Sequence, residues 1–146
     1  MTPPHLLILA AGCLLAADGP PADAPRPDKD LLQGTWTVIR ARQNGQANEQ
    51  LLHASLIIAG DEFTSKVGDA VAGKGTWKVD ATANPKAIDI TYTEGADKGK
   101  TVKGIYHVKD SLWIVLFSSP GQDRPVSFNK DREDGQTFLI LKATRP

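Results

Sequence analysis

The feature that most constrains the fold is a succession of short extended segments, separated by turn signals, that starts near Leu31. The segments are rich in β-branched and aromatic residues and recur at roughly the 8–12-residue spacing typical of sandwiches and barrels. The segment 87–93 alternates apolar and polar residues along its length, as a strand with one buried face does. Asn44-Gly45 is a dipeptide that favours a tight hairpin turn. The pattern predicts an all-β domain.

We predict about eight strands and a single short helix of one or two turns at 48–53. The strands are expected at 34–41, 55–59, 62–67, 75–79, 87–93, 101–108, 111–117 and 137–143. Closure into a barrel removes the exposed edges that an open antiparallel sheet would leave. The expected fold class is therefore all-β, a single antiparallel barrel with one short helix.

The N-terminal region has the features of an export signal. Residues 6–17 are apolar and uncharged, too few to span a bilayer as a helix but suited to a signal-peptide core. Leu15-x-Ala17 offers small-residue cleavage, although no Lys or Arg precedes the core. We therefore predict a signal peptide at 1–17, a Pro- and Ala-rich linker at 18–30 and a barrel domain at 31–146. The expected location is the periplasm or the extracellular space.

Cys13 leaves two alternatives open for the N-terminus. It is the only cysteine of the chain, so no disulfide is available. Its context, Ala10-Ala-Gly-Cys13, resembles a bacterial lipoprotein box, in which the cysteine is lipidated and anchors the protein in the cell envelope. In the other alternative, Cys13 is one apolar residue of an ordinary signal core and is removed with it.

Charge and motifs exclude several classes of function. Lys+Arg and Asp+Glu are balanced at 17 each, so the basic surplus that nucleic acid binding requires is missing. Gly68-x-x-x-x-Gly73-Lys74 is followed by glycine and a strand, whereas a phosphate-binding loop needs Ser or Thr and a helix. The acidic residues of 129–134 lack calcium-loop register. No enzymatic activity, cofactor or metal site is predicted.

The first predicted strand carries a short family signature. Gly34-Thr-Trp36 resembles the Gly-x-Trp motif at the first strand of lipocalins. The resemblance implies that Trp36 closes the floor of the barrel. It also implies that a basic residue near the end of the last strand packs over the indole ring, here Lys142 or Arg145.

Further motifs occur in order along the chain. They are Leu32-Gln-Gly-Thr-Trp36, Asn84-Pro-Lys-Ala-Ile-Asp-Ile90, Glu94-Gly-x-x-Lys-Gly-Lys100, Gly104-Ile-Tyr106 and Arg124-Pro125. Together they resemble an uncharacterised lipocalin-like domain family abundant in planctomycete bacteria, typically behind export signals. The resemblance covers residues 31–143 and implies a lipocalin-like, calycin-type barrel, with no established activity or ligand.

Four residues are the candidates for lining a ligand cavity: Arg40, Trp77, Tyr92 and Tyr106. If Trp36 faces inward, strict alternation places Arg40 inside, where its guanidinium would anchor a ligand carboxylate. A bulge in the strand would instead turn Arg40 to solvent. The aromatic side chains would either line a cavity or fill the narrow interior of an eight-stranded barrel.

Two functions follow from these alternatives. The first is binding of a small apolar or amphipathic ligand inside the barrel. The second is a cell-envelope interaction or structural module with a filled core and no ligand. The strand 112–117 is apolar on both faces, so its outer side chains need a cover, from the short helix, the linker or another protein.

Overall fold

The structure, a computed structural model, describes residues 26–128 and 135–144. Within these ranges a short helix, α1 (Asp28–Leu31), precedes nine strands, and a 3-10 helix (Glu49–Leu51) follows the second strand. The strands are β1 (Gly34–Gln43), β2 (Gln46–Ala47), β3 (Ser55–Ala59), β4 (Glu62–Val67), β5 (Ala70–Asp80), β6 (Ala87–Gly95), β7 (Thr101–Lys109), β8 (Leu112–Phe117) and β9 (Thr137–Thr144).

Eight of the strands form a closed antiparallel barrel. Each strand from β3 to β9 is hydrogen-bonded to its neighbour in chain order, and β1 pairs with both β3 and β9. The closing ladder runs from Thr35 opposite Thr144 to Gln43 opposite Thr137. β2 lies outside the barrel and pairs antiparallel with the end of β1. The predicted all-β, closed barrel of eight strands is confirmed.

Most strand boundaries lie within two residues of those predicted, but β5 begins at Ala70 and not at residue 75, and β2 was not predicted. The turn at Asn44-Gly45 is present. Both residues have positive φ angles, 54° and 76°, as a tight hairpin turn with this dipeptide requires. The predicted helix at 48–53 is a 3-10 turn, Glu49–Leu51, capped by the Asn48 side chain, which accepts a hydrogen bond from Gln50 N.

The start of the folded domain differs from the sequence prediction. Residues 28–30, which we assigned to the linker, form most of α1. A helix of four residues has no stability of its own, so tertiary contacts hold it. The Asp28 carboxylate accepts hydrogen bonds from Lys86 Nζ at 2.7 Å and from the Tyr106 hydroxyl at 2.8 Å. Residues 28–30 are therefore packed against the barrel.

One end of the barrel is closed and densely filled. Leu32, directly after α1, is completely buried, and its carbonyl accepts a hydrogen bond from Trp36 Nε1 at 2.9 Å. The Trp36 ring meets Trp113 edge to face, with 5.5 Å between ring centroids. These large side chains fill this end of the barrel, and the space for a cavity lies at the opposite end.

The pairing of β8, the strand with two apolar faces, shows which of its side chains point inward. Trp113, Val115 and Phe117 of β8 face the barrel interior, since they lie opposite inward residues of β7 and β9. On the outer face, Leu116 and its β7 neighbour Ile105 are nevertheless buried.

The segment that follows β8 is bonded to β6 and β7, beside the buried Ile105. We call residues 118–128 the strap. Arg124 of the strap donates hydrogen bonds to the carbonyls of Ile88 and Gly104 and forms a 2.6 Å ion pair with Asp89. The strap was not among the three covers that the sequence suggested. In the described part of the chain, no helix is long and apolar enough to cross a membrane.

Candidate ligand-binding cavity

The open end of the barrel contains a cavity of about 480 Å³. Its walls are formed by inward side chains of the barrel strands, and its mouth by the connections between them. The apolar wall includes Val38, Leu56, Phe63, Ile90, Val102, Phe117 and Leu139. The volume falls within the roughly 300–1,000 Å³ typical of small-molecule sites.

An aromatic pair on one wall depends on two glycines of β5. Phe63 and Tyr92 meet edge to face, with 5.3 Å between centroids and an interplanar angle of 87°. A Cβ atom at Gly75 would lie 2.8 Å from the Phe63 ring and 1.9 Å from the Thr91 carbonyl oxygen. A Cβ atom at Gly73 would lie 3.1 Å from the Tyr92 ring. The missing side chains on this strand therefore provide the room that the two rings occupy.

The mouth carries charge of both signs. Lys66 and Asp97 both line the cavity. The Asp97 carboxylate is paired with Lys100 at 3.4 Å. Lys66 is half-buried and forms no ion pair with any residue in the described ranges. The wall is thus apolar and the mouth polar, an arrangement that suits an amphipathic ligand.

Tyr92 is the polar aromatic residue of the cavity wall. Burial, together with the negative charge of Asp97, raises the pKa of its hydroxyl above the ordinary value. The hydroxyl is therefore neutral over the whole physiological pH range and remains a hydrogen-bond donor.

Two of the predicted ligand-binding aromatic residues belong to the closed end instead. Tyr106 is 1% exposed, and burial and the hydrogen bond to Asp28 raise the pKa of its hydroxyl far above the ordinary value. Trp77 is buried, and its Nε1 donates to the Gly60 carbonyl in the β3–β4 turn at 3.0 Å. Neither side chain lines the cavity. Both side chains fill the barrel interior, which is the second of the two alternatives that the sequence left open for the aromatic residues.

The Asp28 carboxylate joins α1 to the barrel wall at this closed end. Burial alone would raise the pKa of Asp28, but the hydrogen bonds from Lys86 and Tyr106 outweigh it and hold the pKa below the ordinary value. The carboxylate is therefore ionised at neutral pH and keeps both donors satisfied.

Arg40 does not reach the interior, and the reason is a bulge. Val38 lies opposite Leu141 and Arg40 opposite Ile140, so Ile39 is an extra residue in β1. The bulge reverses the alternation: Ala41 is buried, whereas Arg40 is exposed on the outer face. The inward, carboxylate-binding Arg40 is therefore wrong, and the bulged alternative describes the strand.

The signature residues are only partly in the expected arrangement. Gly34 begins β1 with a φ angle of 112°, and Trp36 closes the barrel floor. Lys142 lies opposite Thr37 and Leu112 and is exposed on the outer face, away from the Trp36 ring. Lys142 is therefore not the cation expected over the indole ring. The alternative cation, Arg145, lies outside the described residues. The lipidation candidate Cys13 and the acidic stretch 129–134 lie outside them as well.

Sequence reasoning found Tyr92 as a cavity residue and missed Phe63, Ser65 and Lys66. For Phe63 and Ser65 the sequence did contain a signal in its alternation. Phe63 and Ser65 alternate on β4, opposite the inward glycines Gly75 and Gly73 of the next strand. Lys66 carried no such signal, because it alternates with Phe63 and Ser65, on the same face of β4 as Thr64, and borders the cavity only near the end of the strand.

Comparison of the chain with protein-family models, curated proteins and solved structures finds no match. Across residues 26–128 and 135–144, no three His, Cys, Asp or Glu side chains are grouped so as to hold a metal ion. The account of function therefore rests on the cavity.

Proposed function

We propose that this chain is an exported, lipocalin-like binding protein that holds one small apolar or amphipathic molecule in the open half of its barrel. The observation that carries the proposal is the 480 Å³ cavity with an apolar wall and a polar mouth. Burial of an apolar ligand against such a wall is favourable by about 25 cal/mol per Å² of apolar surface removed from water. The open cavity argues against the alternative of a module with a filled core.

Export and family membership are part of the proposal and have separate support. Export is supported by the apolar run at 6–17 and the Leu15-x-Ala17 cleavage pattern. The lipocalin-like assignment is supported by the consecutive strand order, the closure of β1 on β9 and the floor at Trp36. Whether Cys13 is lipidated is decided by labelling with a fatty-acid analogue in an expressing bacterium.

The binding proposal is tested by titration with a fluorescent amphiphile, for which an anilinonaphthalene sulfonate is suitable. Ser65 lines the cavity, and its neighbour Thr64 lies on the other face of β4. The variant Ser65→Phe places a ring in the cavity, whereas Thr64→Phe places the same ring on the outer wall. We expect saturable binding with one site in the wild type and in Thr64→Phe, and a loss of at least about tenfold in affinity in Ser65→Phe.

Circular dichroism and thermal unfolding of both variants show whether each is folded. A folded Ser65→Phe protein that binds the probe as tightly as Thr64→Phe would place the probe outside the cavity and contradict the proposal. Absence of saturable binding to the wild type by this probe and by an uncharged alkyl probe would contradict it as well.

A further inference from the structure

Charge is unevenly distributed around the barrel, although Lys+Arg and Asp+Glu balance at 17 each over the whole chain. Strands β7, β8, β9 and β1 are consecutive neighbours in the closed sheet and contain no Asp or Glu. Their basic residues are Arg40, Arg42, Lys103, Lys109 and Lys142. The other half of the barrel, β3 to β6, carries carboxylates as well as lysines. We call the outer face of β7, β8, β9 and β1 the basic wall.

Cations and aliphatic side chains lie next to one another across the middle of the basic wall. Side chains opposite each other on neighbouring strands have Cβ atoms about 4.5–5.5 Å apart, so the strand register defines two rows of adjacent residues. The rows are Arg40–Ile140–Ile114 and Lys142–Leu112–Lys109. The two isoleucines are half-buried and the other four residues are exposed. The two rows therefore form one continuous surface of mixed basic and apolar character.

Two large aliphatic side chains of the basic wall are exposed to solvent, Ile39 by 50% and Leu112 by 44%. Ile39 is the extra residue of the β1 bulge, and a bulge re-aims the side chains beside it. Single exposed aliphatic residues are common on protein surfaces, but these two adjoin the half-buried Ile114 and Ile140. Contiguous apolar surface of this kind marks an interaction site.

The cations around these side chains have no counter-ion. Arg40, Lys109 and Lys142 are exposed and form no ion pair with any residue in the described ranges. On the other half of the barrel, by contrast, Asp89 lies between two cations and is paired with Arg124 at 2.6 Å. The basic wall therefore presents uncompensated positive charge beside exposed apolar surface.

We propose that the basic wall binds an anionic lipid surface, with its aliphatic side chains in the headgroup region and its cations against the lipid phosphates. Surfaces that combine Lys or Arg with large apolar side chains bind such interfaces through both effects. The wall is the convex outside of a barrel, to which a fluid bilayer adapts, whereas a folded acidic partner would need a complementary shape. The inference concerns a different face from the cavity and goes beyond the proposed function.

The test is sedimentation of the full chain with vesicles of phosphatidylcholine alone, or of phosphatidylcholine mixed with phosphatidylglycerol, at low salt. The apolar residues 6–17 are the same in every variant, and the pure phosphatidylcholine vesicles measure their contribution. Each Lys or Arg at an anionic surface changes the partition coefficient about fivefold. We therefore expect the wild type to bind the mixed vesicles more tightly, and Arg40→Gln/Lys142→Gln to lower the binding to them by about tenfold or more.

Two matched controls lie on β5, on the opposite side of the barrel from β9. Lys74→Gln/Lys78→Gln removes the same charge from two exposed lysines and should bind the mixed vesicles as the wild type does. Ile39→Ser should weaken this binding severalfold, because it removes apolar surface from the contact. Val71→Ser, at a position that is also 50% exposed, should leave it unchanged.

Circular dichroism shows whether each variant is folded. If Arg40→Gln/Lys142→Gln were unfolded, the two single substitutions would replace it, with an expected loss of about fivefold each. Equal binding of the wild type to both kinds of vesicle, or unchanged binding by the folded variant, would overturn the proposal. Binding to polyglutamate without binding to the mixed vesicles would assign the wall to an acidic protein partner and overturn it as well. The proposed function is tested with soluble probes of the cavity, so it stands or fails independently.

Discussion

At the scale of single residues, the size of the cavity is decided by the absence of side chains. Gly73 and Gly75 lie on the inner face of β5, where any Cβ atom would meet a ring or a carbonyl group of a neighbouring strand. The Phe63 and Tyr92 rings pack against the barrel wall at these two places. The rings thereby line the cavity instead of filling it.

The two glycines differ in what an added methyl group would meet, and this predicts unequal effects of alanine. At Gly75 the Cβ atom would lie 1.9 Å from a backbone oxygen, which cannot move without breaking the β5–β6 ladder. At Gly73 it would lie 3.1 Å from the edge of the Tyr92 ring, which can shift. We expect Gly75→Ala to lower the free energy of unfolding by about 3 kcal/mol or more, and Gly73→Ala by about 1 kcal/mol or less.

Urea unfolding measured by tryptophan fluorescence gives both values. Equal destabilisation by the two substitutions would contradict the packing described for this strand.

Tyr92 and Tyr106 are the only tyrosines of the chain, so the absorbance of tyrosinate reports on these two side chains at high pH. The pKa values of both are raised by burial above the ordinary value of 10.0. The folded state therefore retains protons that the unfolded state loses, and stability falls as the pH rises above about 10. Absorbance at 295 nm should show neutral tyrosines in the folded protein at about pH 10.5 and mostly ionised tyrosines in urea.

The variants Tyr92→Phe and Tyr106→Phe assign the two titrations, and Tyr106 should ionise last. Ionisation of either tyrosine near pH 10 in protein that circular dichroism shows to be folded would contradict the burial described here.

At the scale of elements, the strap 118–128 is bonded to β6 and β7. Arg124 connects the strap to the barrel, because its guanidinium donates to two strand carbonyls and pairs with Asp89. Three directed bonds from one planar guanidinium are a geometry that lysine cannot reproduce. Ile105, which is buried and lines a groove together with Arg124 and Pro125, would gain exposure if the strap were released.

Arg124 and Lys78 provide a matched pair of substitutions, because both cations face Asp89. Arg124 is half-buried at 2.6 Å, whereas Lys78 is 80% exposed at 3.9 Å. We expect Arg124→Met to lower the free energy of unfolding by roughly 2–3 kcal/mol, since it leaves two carbonyls and a carboxylate without their donor. Lys78→Met should have little effect.

Thermal unfolding of the two variants measures the difference. Limited proteolysis should also cleave within the strap faster in Arg124→Met than in the wild type. Equal stability of the two variants would show that the strap is held by other contacts.

Elements and their faces were predictable from the sequence to different degrees. The strands were found within a few residues, because alternation of apolar and polar side chains is a local property. Helix α1 was missed, since its four residues are helical only through contacts of Asp28 with the barrel.

The inward or outward direction of side chains beyond a bulge was not predictable. The extra residues Ile39 in β1 and Ala72 in β5 are defined by register with partner strands, which are distant in sequence or separated by a turn. A shift of one residue moves a side chain to the other face. This is why Arg40 was expected inside.

At the scale of the whole molecule, the two ends of the barrel have different roles. The closed end contains the large, fully buried side chains Trp36, Trp113 and Tyr106 and is held to α1 through Asp28. The open end contains the cavity, the aromatic pair and the mouth with Lys66. The account predicts that a ligand affects the open end and leaves the closed end unchanged.

The most direct test of this account is methyl NMR of the protein with a bound long-chain carboxylate. The account predicts contacts between the ligand chain and the methyl groups of Ile90, Val102 and Leu139, which line the cavity. The methyl groups of Ile114 and Ile140, paired with each other on the outer face of β8 and β9, should show no contact. Ligand contacts confined to these outer methyl groups, or none in the cavity at saturation, would contradict it.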